Sequence, residues 1–180
     1  MEAKFARTLD PASPRDRNGV GYIYYYAHRY DEAVPELQSV LEIEPAFGMA
    51  HTVLAMTYAR QGKPQEAFRE RLAALGRDAD PQYIANLRAA FASGGLRAVA
   101  RLRLQHALEL SRKQYIPPTG IASLYLQAGE TDACLDWLEK AYALRDVQLL
   151  DVNADPIFDE IRENPRFRQL ARRIGFASNQ

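Results

Sequence analysis

The chain has 180 residues, 47% of them apolar, with 23 basic and 23 acidic side chains and one cysteine. That length suits one domain with a continuous core. The balanced charge argues against nucleic acid or an anionic membrane as partner, and one cysteine excludes an internal disulfide. No apolar run approaches the roughly 18 residues of a membrane span, and Met1-Glu2-Ala3-Lys4 leads into Arg7 and Asp10 rather than into the apolar stretch of a signal peptide. The expectation is a cytoplasmic protein without membrane contact.

Residues 1–13 read as the remnant of a preceding helical hairpin or as a lone capping helix, because Ala3–Leu9 before Asp10-Pro11 resembles a second helix lacking its first. The first of these readings makes the chain a piece of a longer protein. Ser13-Pro14, a capping hydroxyl followed by proline, opens the next helix. Gly21–Pro45 then reads as two antiparallel helices meeting at Arg29–Tyr30. Tyr22, Tyr24, Tyr25, Tyr26 and Tyr30 crowd this stretch, and at about 100° per residue they cannot share one face. Tyr24 is assigned to the core. Tyr22, Tyr25 and Tyr26 are assigned either to a ligand-binding aromatic patch or to packing against a neighbouring helix, and both readings stand at this point.

Met49, Thr52, Met56 and Arg60 follow helical spacing and extend that face along the next hairpin, whose turn is Gly62-Lys63-Pro64. Asp80-Pro81 caps a third hairpin, and Gly94-Gly95 should break it after Ser93. The following helix, Leu96 to about Lys113, carries Arg97, Arg101, Arg103, Arg112 and Lys113 against Glu109. A solvated face is the expected reading of that basic stripe, and an acidic partner or a phosphate backbone the functional one. Pro117-Pro118 opens the fourth hairpin, with Ser123 and Gln127 on the exposed face, Asp136 and Lys140 as an i,i+4 pair, and Trp137 beside a core stripe of Cys134, Leu138 and Ala141. Cys134 reads as a buried structural thiol. Asp155-Pro156 and Asn164-Pro165 then start two short helices that cap the chain, with Phe158, Ile161, Phe167, Leu170 and Ile174 as their apolar side chains.

The organising feature is a period. Ala33, Ala67, Ala100 and Cys134 stand 34, 33 and 34 residues apart, and Tyr24, Tyr58, Phe91 and Tyr125 each lie nine residues before one of them. Small residues at such intervals let paired helices approach closely, unit after unit. Val20-Gly21-x2-Tyr24, Ala33-x3-Leu37 and Pro45 resemble the tetratricopeptide repeat, as do Leu54-Ala55-x2-Tyr58 with Ala67, and Ile121-Ala122-x2-Tyr125 with Cys134-x3-Leu138. Leu87-Arg88-x2-Phe91 departs by lacking the small residue, and Arg71 replaces a large apolar one. The tail, with Asp155-Pro156, Phe158 and Pro165-Arg166-Phe167, resembles a C-terminal segment of bacterial multidomain regulators that carry such repeats behind winged-helix, kinase or cyclase domains.

The resemblance implies an all-α, right-handed superhelical solenoid of stacked helical hairpins with a C-terminal helical cap. Its repeats would be 14–47, 48–80, 81–114 and 115–146, with the cap at 147–180. It also implies a non-catalytic scaffold whose concave groove holds a protein or peptide partner on Tyr22, Tyr25, Tyr26, Met49, Thr52, Met56, Arg60, Ser93, Ser123 and Gln127. The alternative is a structural or self-association module using its N-terminal edge. The carboxylate-clamp pattern of the family is matched only at Asn18 and Arg60. His28, His51 and His106 are dispersed, and no nucleophile elbow, metal-ligand spacing or phosphate loop is present. No catalysis and no cofactor are expected.

Overall fold

The computed structural model describes residues 14–176, and the predicted remnant at 1–13 lies outside them. Every regular element among the described residues is helical. The chain divides into two compact units, Met1–Ala85 and Asn86–Gln180.

The first unit holds α1 (Pro14–Tyr26), α2 (Tyr30–Ile43), α3 (Gly48–Arg60) and α4 (Pro64–Ala73). Each helix packs on the next, and α1 also meets α3. Periodic apolar positions explain this: Ala33, Leu37 and Val40 of α2, with Ala50, Val53 and Leu54 of α3, are all at most 1% exposed. Gly21 brings α1 onto α2, because Leu37 occupies the space that a side chain at Gly21 would need. Glu70 of α4 meets His51 of α3, with its carboxylate 2.7 Å from His51 Nδ1, while His51 Nε2 stands 3.0 Å from the Pro45 carbonyl.

α1 and α3 end in the same way. His28 and Gly62 adopt left-handed φ of 59° and 70°, and the next amide, of Arg29 or Lys63, donates at 2.9 Å to the carbonyl of Tyr24 or Tyr58. This is the reversed closing bond of a Schellman turn. In the second unit Gly129 (φ 84°) repeats it, with the Glu130 amide donating at 2.9 Å to Tyr125. His28 and Gly62 are 34 residues apart, the interval of the small core residues.

α5 (Pro81–Ser111) consists of two helical stretches joined across a kink at Gly94 and Gly95, whose backbone is non-helical. Gly95, at φ 60° and ψ −151°, takes a conformation open to glycine alone. Gly94 and Gly95 thus separate two helices, where the sequence places a break, and the second of them ends at Ser111. The rest of the second unit is α6 (Pro118–Ala128), α7 (Thr131–Ala143), two 3-10 helices at Val147–Asp151 and Pro156–Ile161, and α8 (Pro165–Ile174). One core joins them, in which Cys134, Leu138 and Ala141 meet Phe158, Ile161, Phe167 and Leu170.

Asp155 and Asn164 cap their helices as expected, accepting from the amides of Ile157 and Arg166 at 2.9 Å each. The 3-10 helix at Val147–Asp151 was not anticipated, and its cap does two jobs. Buried Asp146 accepts from the Gln148 amide at 3.1 Å and from the Thr119 amide at 2.9 Å. α6 begins at a proline pair with no capping side chain of its own, so this distant carboxylate serves its N-terminus.

The Asp136–Lys140 pair is replaced by other partners. Lys140 Nζ stands 3.9 Å from the Trp137 ring centre. Asp136 accepts at 2.7 Å from Arg166 of α8, which also reaches Glu139 at 2.9 Å. A guanidinium fork spans two carboxylates where an ammonium meets one, and these two partners raise the Arg166 pKa further above its ordinary value.

Candidate functional site

The predicted groove residues fall on both units. Tyr22, Tyr25, Tyr26, Met49, Thr52, Met56 and Arg60 belong to the first, and Ser93, Ser123 and Gln127 to the second. Within the first unit they lie on α1 and α3, two helices in mutual contact. Tyr22 and Ile23 on α1 are 37% and 40% exposed, and Met49 on α3 is 56% exposed. Tyr26 and Met56 are half-buried and Arg60 is exposed. Tyr22 and Tyr26 are one turn apart, with ring centres 4.8 Å apart and hydroxyls 3.2 Å apart. Two linked rings form a stiff amphipathic surface whose ordering on binding costs little entropy. The Thr52 hydroxyl is already spent on the Gly48 carbonyl at 2.9 Å.

Tyr25 does not belong to this surface. It is 1% exposed and packs edge-on to Tyr26 at 5.7 Å, with Tyr30 at 6.1 Å. Tyr24, assigned to the core from the sequence, is only half-buried and carries the Arg29 guanidinium 4.6 Å above its ring. The buried arc of α1 runs from Val20 across Gly21 to Tyr25, about 140° of the helix circumference. Tyr24 falls inside that arc, so its partial exposure is not set by its position on the helical wheel.

In the second unit the polar side chains of the predicted groove turn back onto their own helices. Ser93 and Ser123 donate to the carbonyls of Ala90 (3.0 Å) and Gly120 (2.8 Å), and Gln127 donates to the Ser123 carbonyl at 3.1 Å. Ser93 is exposed, and the other two are half-buried.

The sequence reading missed an open cleft of about 320 Å³ where the α1–α2 and α3–α4 turns lie side by side, lined by His28, Tyr30, Asp31, Gln61 and Lys63. Gln61 donates to Asp31 at 2.7 Å, and the Tyr30 hydroxyl is 3.3 Å from His28 Nδ1. The 34-residue repetition of the turns is the signal that would have aligned these residues in advance. Asp31 is held by the Gln61 amide, and the cleft is a polar recess between two turns.

Other reactive groups are engaged elsewhere. Burial pushes the Cys134 thiol up to about 12, with a smaller contribution from Glu160, so it stays protonated at neutral pH. Asp155 serves as a helix cap and Asp159 pairs with Arg162 at 2.8 Å. No cluster of three metal-ligating side chains occurs among the described residues, and no helix among them is long and apolar enough to cross a membrane. Comparison with protein-family models and with curated proteins finds no match to this chain.

Proposed function

We propose that this chain is a tetratricopeptide-like scaffold that binds a protein or peptide through the α1–α3 face of its first unit. The observation that carries the reading is the exposure of Tyr22, Ile23 and Met49 on two helices that pack together. Large apolar side chains grouped on adjacent elements are the usual mark of an interaction surface. The left-handed turns at His28, Gly62 and Gly129, and the buried Ala33, Ala67, Ala100 and Cys134, support a repeating hairpin of about 34 residues. A right-handed solenoid with a C-terminal cap is the architecture proposed for it, and an interaction module of a bacterial regulator the setting that the tail resembles.

The test is selection of binding peptides from a displayed library, followed by affinity measurement on Tyr22→Ser and Met49→Ser. Both positions are exposed, so folding should survive. Peptides that lose affinity for both variants support the reading. Peptides that bind wild type and both variants equally refute it.

A further inference from the structure

The second unit carries a basic surface that the α1–α3 face does not use. Between Arg97 and Lys113 the chain has five cations and one acid, Glu109, although its overall net charge is zero. Arg97, Arg101, Arg112 and Lys113 are all exposed. None of these four forms an ion pair among the described residues, whereas Arg29, Arg162, Arg166 and Arg168 each hold a carboxylate. Arg97 is also positioned. Its guanidinium lies over the backbone of Gly129, where an added Cβ would stand 2.8 Å from both Cζ and Nη2. Arg101 follows one turn later, about 6 Å along the axis.

We propose that this face of α5 and the turn after it docks an acidic polypeptide segment of another protein. Charge complementarity selects the partner. Exposed guanidinium groups at helical spacing offer paired donors to carboxylates, and unpaired arginines give up no internal ion pair on binding. Nucleic acid fits less well. No Phe, Tyr or Trp lies between Arg97 and Lys113 to stack bases. The first such ring, exposed Tyr115, comes after the helix has ended, and one ring is not a platform for successive bases.

The surface lies in the second unit, so its loss leaves the Tyr22–Met49 reading untouched, and the reverse also holds. The experiment is fluorescence anisotropy with a labelled oligoglutamate peptide and a labelled DNA duplex, at low and at physiological salt. The variants are Arg101→Glu/Arg112→Glu and, for the same kind of charge change elsewhere in the unit, Arg172→Glu on α8. Arg97 is left in place on Gly129. The peptide should bind wild type in a salt-sensitive way, and the double reversal should weaken it by about tenfold or more. Arg172→Glu should change it by less than about twofold. If the double reversal fails to fold, Arg101→Gln/Arg112→Gln replaces it, with a smaller loss expected. No peptide binding at low salt, equal losses from α5 and α8, or tighter binding of the duplex than of the peptide would each overturn the proposal.

Discussion

Replacing Gly21 by alanine tests the packing of α1 on α2 directly. The new Cβ would lie 2.5 Å from Leu37 Cγ, 2.6 Å from Cδ2 and 3.3 Å from Cδ1. Leu37 is 0% exposed, so its branch has no open space to swing into. Overpacking of this kind costs about 1–3 kcal/mol, and the better helix propensity of alanine returns about 1 kcal/mol. The expected net effect is a loss of up to about 2 kcal/mol, read from urea unfolding followed by circular dichroism. Gly19, two residues earlier in the same helix, meets nothing within 4 Å. Gly19→Ala should therefore stabilise by about 1 kcal/mol from propensity alone. Combined with Leu37→Ala, which empties the site, Gly21→Ala should lose its penalty, a coupling that a double-mutant cycle resolves. Equal stabilisation by Gly19→Ala and Gly21→Ala would refute the close approach of the two helices.

Three further outcomes follow from burial and capping. Tyr25→Ser should cost about 3–5 kcal/mol, as other large-to-small aromatic changes at full burial do, while exposed Tyr22→Ser should stay within about 1 kcal/mol; thermal melts compare them. At neutral pH Cys134→Ala should be almost silent and Cys134→Leu should cost about 1–3 kcal/mol by overpacking. Wild type should also lose stability between pH 9 and about 12 relative to Cys134→Ala, because the unfolded thiol ionises near 9 while the folded one holds its proton to about 12; melts across that window show whether the two curves diverge. Asp146→Ala should cost about 2 kcal/mol through its bonds to the Thr119 and Gln148 amides, and hydrogen exchange should quicken at the start of α6. Unchanged exchange there would mean that the carboxylate does not serve as the cap of α6.

Much of the local architecture was readable from the residues. Ala33, Ala67, Ala100 and Cys134 are each at most 2% exposed, and their spacing was visible because a close helix–helix contact demands a small residue wherever it recurs. Asp80, Asp155 and Asn164 announced helix starts, since a capping oxygen and the proline after it act within one turn of chain. The groove was legible only as a pattern of positions. Of its tyrosines, Tyr22 and Tyr26 keep an accessible surface and Tyr25 does not, and the sequence had put Tyr24 inside instead. Periodicity gives the direction of a buried stripe, but not how far each residue within it is covered.

The remaining differences have the same origin. Lys140 takes Trp137 rather than Asp136 because Arg166, from a later helix, reaches that carboxylate. Asp146 caps a helix that begins 28 residues earlier in the chain. The cleft at His28 and Gln61 exists only because two turns lie side by side. The sequence by itself determined what nearest neighbours along the chain decide: helices, caps, turns and the interval between them. The tertiary structure alone decided which polar and aromatic groups meet, because those partners are brought together by packing across many residues and no local pattern encodes them.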